Sequence, residues 1–322
     1  MTLEIAEARP KCPPVLVLAF NRPDTTRQVF EVLRGARPEA LYFAVDGARD
    51  GKHEESARVE QVQSLTAMID WECQVRTLFR KTNRGCKLAV SEAISWFFGQ
   101  VEAGIILEDD CVAHPSFFAY ASELLERYRD EERVLMVSGD NFQKDRGGSD
   151  DSYYFSRYAH IWGWATWRRA WKHYDHEMKA WPNLRDGGGL AGFLRDRGAA
   201  NYWSGIFEDT YRNRNTSWAY RWQFCIWAQK GLVVLPRCNL VSNVGFGEFA
   251  THTRAVSPWA SLPVEPMSFP LVHPRLLEWD DGADAYTHKA VFSPPALWKR
   301  LLERCRRIAG NAAGTRDRRH GK

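Results

Sequence analysis

The chain has none of the glycine-rich turns by which backbone amides usually cradle phosphate. Asn21-Arg22-Pro23 follows the first apolar run where a dinucleotide fold would need a glycine pair, and no P-loop occurs. Its seven cysteines include no CxxC pair. An odd, unpatterned set excludes a disulfide framework or a zinc site and fits reduced thiols in a cytoplasmic protein. No apolar run reaches membrane-spanning length. Met1–Pro10 carries glutamate and no apolar core, so no signal peptide is expected. A net charge of +4 is too small to point to nucleic acid.

What remains is a globular composition: 322 residues, 44% hydrophobic and 26% charged, enough for one large domain or two modest ones. Tryptophan is the exception, with 14 residues. Rings in that number serve either a large core or flat faces that stack on sugars and bases.

Strand and helix patterns alternate through the first half. Apolar runs at 14–20, 41–45, 75–79, 105–107 and 134–138 read as buried strands. Helical patterns lie between them near 24–35, where Asp24 can cap, and at 55–69, 86–98 and 116–128. The alternation predicts an α/β fold, a mostly parallel, Rossmann-like sheet flanked by helices. In such a sheet the strand ends share one edge. Asn21 and Arg22, Asp46, and Asp109 with Asp110 would then converge on one crevice.

The run Ala103–Leu107 stops at three consecutive acids, Glu108, Asp109 and Asp110. Three adjacent carboxylates repel one another unless a positive charge sits among them. A divalent cation on hard oxygen ligands is one remedy, and a solvated acidic turn is the bland alternative. The second half is aromatic. His160–Trp167 packs three Trp around Gly163, reading either as a sugar-facing wall or as a hydrophobic hinge. Trp218–Gln229 reads as a Trp-rich helix, 232–236 as a strand, and 186–189 as a surface loop. The stretch 239–253, with its special backbone positions, has the character of a functional loop. Past Val256 the pattern thins to a basic helix at 296–308 and a basic tail. That end is either a solvated terminus or a peripheral contact with an anionic membrane.

These residues resemble a known family. Pro14-Val-Leu-Val17, Ile106-Leu-Glu-Asp-Asp110 followed by His114-Pro-Ser-Phe-Phe118, and Val137-Ser-Gly-Asp-Asn141 are similar to segments of GT-A-fold glycosyltransferases. The resemblance is to the N-acetylglucosaminyltransferase I group and bacterial nucleotide-diphospho-sugar transferases like it. Trp162-Gly-Trp164 and Asn243–Gly247 through His252 fit the same comparison. It implies a domain over 12–255, with a nucleotide-binding half to about 140 and an acceptor half after it, and an extension over 256–322. It further implies a UDP-type nucleotide-sugar donor, a manganese (or magnesium) ion, inversion at the anomeric carbon and a glycan or lipid-linked acceptor. Asp110 would bind the metal, with His252 as a further contact. Asp109 would lie near ribose or sugar, Asp46 near the base, and Arg22 and Lys87 against the nucleotide. Phe20, Asn21 and Glu108 would complete the donor side. Trp162, Gly163, Trp164 and Trp218 would face the acceptor. One departure stands out. The family's base, an Asp just after a Trp, corresponds to Ala219. Either Glu208 or Asp209 takes the role, or the chain binds nucleotide sugars or glycans without catalysis.

Overall fold

The computed structural model describes residues 11–143, 150–245 and 259–292. Ten strands appear among them: β1 Val15–Ala19, β2 Ala40–Val45, β3 Gln74–Phe79, β4 Ala103–Glu108, β5 Cys111–Ala113, β6 Val134–Ser138, β7 Tyr153–Ser156, β8 Trp164–Trp167, β9 Leu232–Pro236 and β10 Val241–Asn243. The helices are α1 Pro23–Ala36, α2 His53–Ser64, α3 Gly85–Phe98, α4 Ser116–Arg127, α5 Arg168–Trp171, α6 Trp181–Asp186, α7 Gly189–Leu194, α8 Arg197–Tyr211, α9 Trp218–Ala228 and α10 Asp281–Thr287.

Eight strands form one sheet in the order β3-β2-β1-β4-β8-β6-β9-β7. The β3-β2-β1-β4 block is parallel throughout. β8 then enters antiparallel to both β4 and β6, and β7 lies antiparallel to β9. The expected α/β fold is therefore present, as a mixed sheet. The chain builds outward from β1 to β3, then crosses back to place β4 on the other side of β1. That reversal opens a crevice past the carboxyl ends of β1 and β4, the place where open α/β sheets bind ligands.

Local sequence explains the elements. The four central residues of β4, Gly104–Leu107, are buried, as is all of β6 and β9, so these strands are apolar runs without alternation. Helix α1 buries Thr26, Val29, Phe30 and Leu33, an i, i+3, i+4, i+7 stripe. It begins at Pro23, whose fixed φ suits the first helical turn, and Asp24 lies inside that turn as an acid and not as the cap. Arg22 takes the capping position, and its carbonyl accepts from the amide and hydroxyl of Thr26 at 3.1 and 2.6 Å.

The aromatic residues form a second, larger part of the core. Trp164, Trp181, Trp203 and Trp222 are fully buried. Residues 259–292 pack onto this half: the amide of Asp280 donates to the Phe155 carbonyl at 2.8 Å, and Asp284 accepts from Ser156 and Arg157. The basic stretch 296–322 lies outside the described residues. No helix among the described residues is long and apolar enough to cross a membrane.

Candidate active site

A cavity of about 630 Å³ sits at the β1/β4 reversal, within the size range of small-ligand sites. Its wall comes from the ends of β1, β2, β3 and β4, the first turns of α3, and Ile161, Trp162, Thr216, Asn243 and Gly245 from the later chain. Every donor-side residue expected from the sequence except Asn21 lines it: Phe20, Arg22, Asp46, Lys87, Glu108, Asp109 and Asp110. Asn21 stands just behind, donating to Glu55 at 2.9 Å.

Two carboxylates and one guanidinium form the centre. Nη1 of Arg22 donates to Asp110 Oδ2 at 2.8 Å, and Nη2 pairs with Asp109 Oδ1. The Phe20 amide adds a bond to Asp109 Oδ2 at 3.2 Å. The antiparallel β5–β10 pair sets Asn243 opposite Cys111, which brings Asn243 Nδ2 to 3.3 Å from Asp110 Oδ1. Gly245 closes the arrangement: a Cβ there would lie 2.0 Å from Asp110 Oδ2 and 2.5 Å from Arg22 Nη1. Only glycine fits against that oxygen and its Arg22 partner.

The charges are perturbed as their surroundings require. Burial, then the neighbouring Asp110 and Asp109, push Glu108 up to about 8. Burial raises Asp109 to about 6 against the pull of Arg22. Glu108 accepts no hydrogen bond from the described residues, whereas Asp109 and Asp110 are both held. Cys86, also on the wall, is pushed up to about 12 by burial and the nearby acids, so it is a neutral thiol and not a nucleophile.

The far wall is cationic. Arg49, Arg80, Arg84 and Lys87 surround the opening. Arg80 and Arg84 share Glu92, at 3.2 and 2.7 Å, and Arg49 pairs with Glu55. Asp46 orients this wall from below. It accepts from the amides of Gly47, Arg84 and Gly85 at 3.0–3.1 Å, so it fixes the turn into α3 and has few lone pairs left for a base. Lys87 donates to Asn213 at 3.0 Å, tying α3 to the loop before α9. Buried Arg221 holds that loop through His176, Ser217 and Thr210 carbonyls and the same Asn213 oxygen.

Several expected residues are elsewhere. Glu208 is not on the cavity wall; Trp181, Arg212 and Arg185 engage its carboxylate and lower it to about 2, too acidic for a base at neutral pH. Asp209 is on the same helix, half exposed and paired with Arg214 at 2.7 Å. Trp164 is buried in β8 and stacks on buried Trp218, with ring centroids 5.9 Å apart. Both belong to the core and not to an acceptor wall. Gly163 serves the backbone: its φ is +66°, and a Cβ would meet Val241 at 2.7 Å. Of the aromatic set, Trp162 alone lines the cavity. His252 lies outside the described residues. Sequence reasoning missed the cationic residues Arg49, Arg80 and Arg84, which follow β2 and β3 and were signalled by the same strand-end logic as Asp46.

Behind Trp162 lies a buried pair, Asp140 and His160, with Oδ2 and Nδ1 3.7 Å apart and without hydrogen-bond partners. Burial raises Asp140 to about 8 and lowers His160 to about 4. The raised carboxyl contributes stability that is complete below its unfolded value near 3.8 and is lost as pH rises through about 8. The lowered imidazole contributes in the opposite sense, losing stability as pH falls from 6.5 toward about 4. Asp140→Asn removes the first effect alone. The melting temperature of the variant should therefore fall less than that of the wild type between pH 6.5 and 9. Each kcal/mol recovered corresponds to roughly 2 °C, and parallel curves would contradict the assignment.

In comparisons with known proteins, no family model and no curated protein matches. Similar solved structures include HddC from Yersinia pseudotuberculosis, at 12% identity and TM-score 0.32 over 51% of this chain and 80% of that one. TarS from S. aureus is similar at 10% identity and TM-score 0.39, over 71% of this chain and 59% of the other. UDP-glucose pyrophosphorylase complexed with UDP-glucose is similar at 9% identity and TM-score 0.35, over 70% and 90%. At these TM-scores the likenesses carry no functional argument.

Proposed function

We propose that the protein is an inverting glycosyltransferase of the GT-A type, moving a sugar from a UDP-type nucleotide-diphosphate sugar to a hydroxyl of a glycan or lipid-linked acceptor. The observation that carries this is the meeting of Arg22 with Asp109 and Asp110 at the sheet's reversal, faced by Arg49, Arg80, Arg84 and Lys87. The cationic wall suits a diphosphate, and the acids suit ribose and sugar hydroxyls. The acceptor hydroxyl attacks the anomeric carbon as the bond to the diphosphate oxygen breaks; the diphosphate leaves with the electron pair, and the hydroxyl proton passes to water or to the departing diphosphate. The cationic wall stabilises that charge.

A divalent ion fits the donor set in one way. Among the described residues no three His, Cys, Asp or Glu side chains gather around a point. Asp110 offers one carboxylate, whose Oδ2 accepts from Arg22 and would exchange that bond for the ion; a Cβ at Gly245 would fill the same space. Ions such as Mg²⁺ are commonly held by one or two carboxylates and substrate phosphates. Asp110 with the donor's diphosphate would hold such an ion, which when bound supplies further positive charge to the leaving group.

A second reading has its own observation. Among the described residues of the acceptor half, Ile161, Trp162, Thr216, Asn243 and Gly245 line the cavity, and none of these is a proton acceptor of carboxylate type. A nucleotide-sugar-binding protein without transfer is the alternative. A panel of nucleotide sugars with manganese, scored for released nucleoside diphosphate and parallel calorimetry, separates the two. Release above the uncatalysed rate for one donor is expected. Saturable binding without release by any donor establishes the second reading, and neither binding nor release by folded protein refutes both.

A further inference from the structure

The acids at the end of β4 already have a cation, and it comes from the chain. Arg22 is pinned at both ends. Its backbone caps α1 and accepts the two bonds from Thr26, and its guanidinium spans Asp109 and Asp110. The pairing is well shielded, with the Arg22, Asp109 and Asp110 side chains 17, 4 and 11% exposed. A guanidinium 2.8 Å from Asp110 Oδ2 occupies the approach that a divalent ion bound at about 2.0–2.6 Å would need. The other oxygen, Oδ1, is taken by Asn243. Two cationic groups on one carboxylate oxygen would repel strongly in so sheltered a place. A diphosphate changes the balance, because its oxygens offer the Arg fork an equivalent bidentate partner within the same cavity.

We propose that Arg22 is the counter-ion that holds Asp110 closed to divalent metal in the free protein and releases it to the metal when a diphosphate binds. Metal and nucleotide are then coupled through one side chain: the anion draws the guanidinium away, and the freed Oδ2 takes the ion. This rests on the glycosyltransferase reading for the identity of the anion, but its metal-only consequence does not. Linkage requires the coupling to be reciprocal, and couplings of this kind span roughly 5- to 150-fold.

The test titrates MnCl₂ into the full chain and reads free Mn²⁺ by electron paramagnetic resonance, with and without UDP. Without UDP, Arg22→Gln should bind Mn²⁺ about tenfold or more tightly than the wild type, and Arg22→Lys, which keeps the charge, should stay close to the wild type. With UDP, and after subtracting the Mn²⁺ that UDP holds in a protein-free titration, wild-type affinity for Mn²⁺ should rise about tenfold more than that of Arg22→Gln. Equal or weaker Mn²⁺ binding by Arg22→Gln overturns the proposal, as does absence of Mn²⁺ binding in every protein. Should Arg22→Gln fail to fold, the wild-type pair of titrations decides: UDP that binds without raising Mn²⁺ affinity overturns it. UDP that does not bind refutes the glycosyltransferase reading instead, while the metal-only arm still judges Arg22.

Discussion

Asp110→Ala should lower manganese-supported affinity for UDP by about 100-fold, the equivalent of roughly 3 kcal/mol, while the protein remains folded. Asp110 lines the cavity beside Gly245 and Asn243, and its Oδ2 is the oxygen that Arg22 would give up to the ion. Its removal also leaves Arg22 on Asp109 alone, a pairing that keeps the β1 and β4 ends joined. Glu108→Gln should act differently. Glu108 is the last residue of β4 and makes no hydrogen bond to Arg22, whereas Asp109 and Asp110, in the turn that follows, both engage it. Glu108 accepts no hydrogen bond from the described residues, so the amide leaves no donor stranded. Its binding should be weakened and still measurable. Calorimetry of UDP with manganese on both variants checks this, and equal losses in the two would refute the separate roles.

The second large effect is a gain. Ala219→Asp should raise transfer turnover by about 10² to 10⁴, the usual contribution of a general base, with little change in the Michaelis constant for the donor. Ala219 is the second residue of α9, three positions past cavity-lining Thr216. An acid in a first helical turn is favourable, so the fold should accept it. The two acids that a sequence reading offers as substitutes are engaged elsewhere: Glu208 with Trp181, Arg185 and Arg212, and Asp209 with Arg214. Steady-state kinetics on the variant decide the point. Unchanged turnover in a variant that still binds donor places the base on another residue.

The strand ends were legible because they depend on simple patterns. Apolar runs without alternation marked β1, β2, β4, β6 and β9, and Arg22, Asp46, Asp109 and Asp110, at the ends of β1, β2 and β4, came to the cavity once the parallel block formed. Trp164–Trp167 was not legible as β8. Four residues flanked by further aromatics carry no distinguishing period, and burial on both faces erases alternation. The same burial turned a supposed sugar-facing wall into core. The counter-ion was missed for a different reason. Three adjacent acids call for a positive charge, and the sequence alone does not show that Arg22, 87 residues before Asp109, lies beside them. That follows only from the β1–β4 pairing. For Glu208 a signal was present in the sequence, since Arg212 stands at i+4, at the helix's C-terminal cap.

The claim at the centre is that the cavity past β1 and β4 receives a nucleoside diphosphate. Calorimetric titration of UDP and of uridine into the wild-type chain with manganese tests it most directly. Saturable UDP binding at one site per chain, about tenfold or more tighter than uridine because the cationic wall meets the diphosphate, is the expected result. Equal affinity for UDP and uridine, or no saturable binding of any nucleoside diphosphate by folded protein, would contradict it.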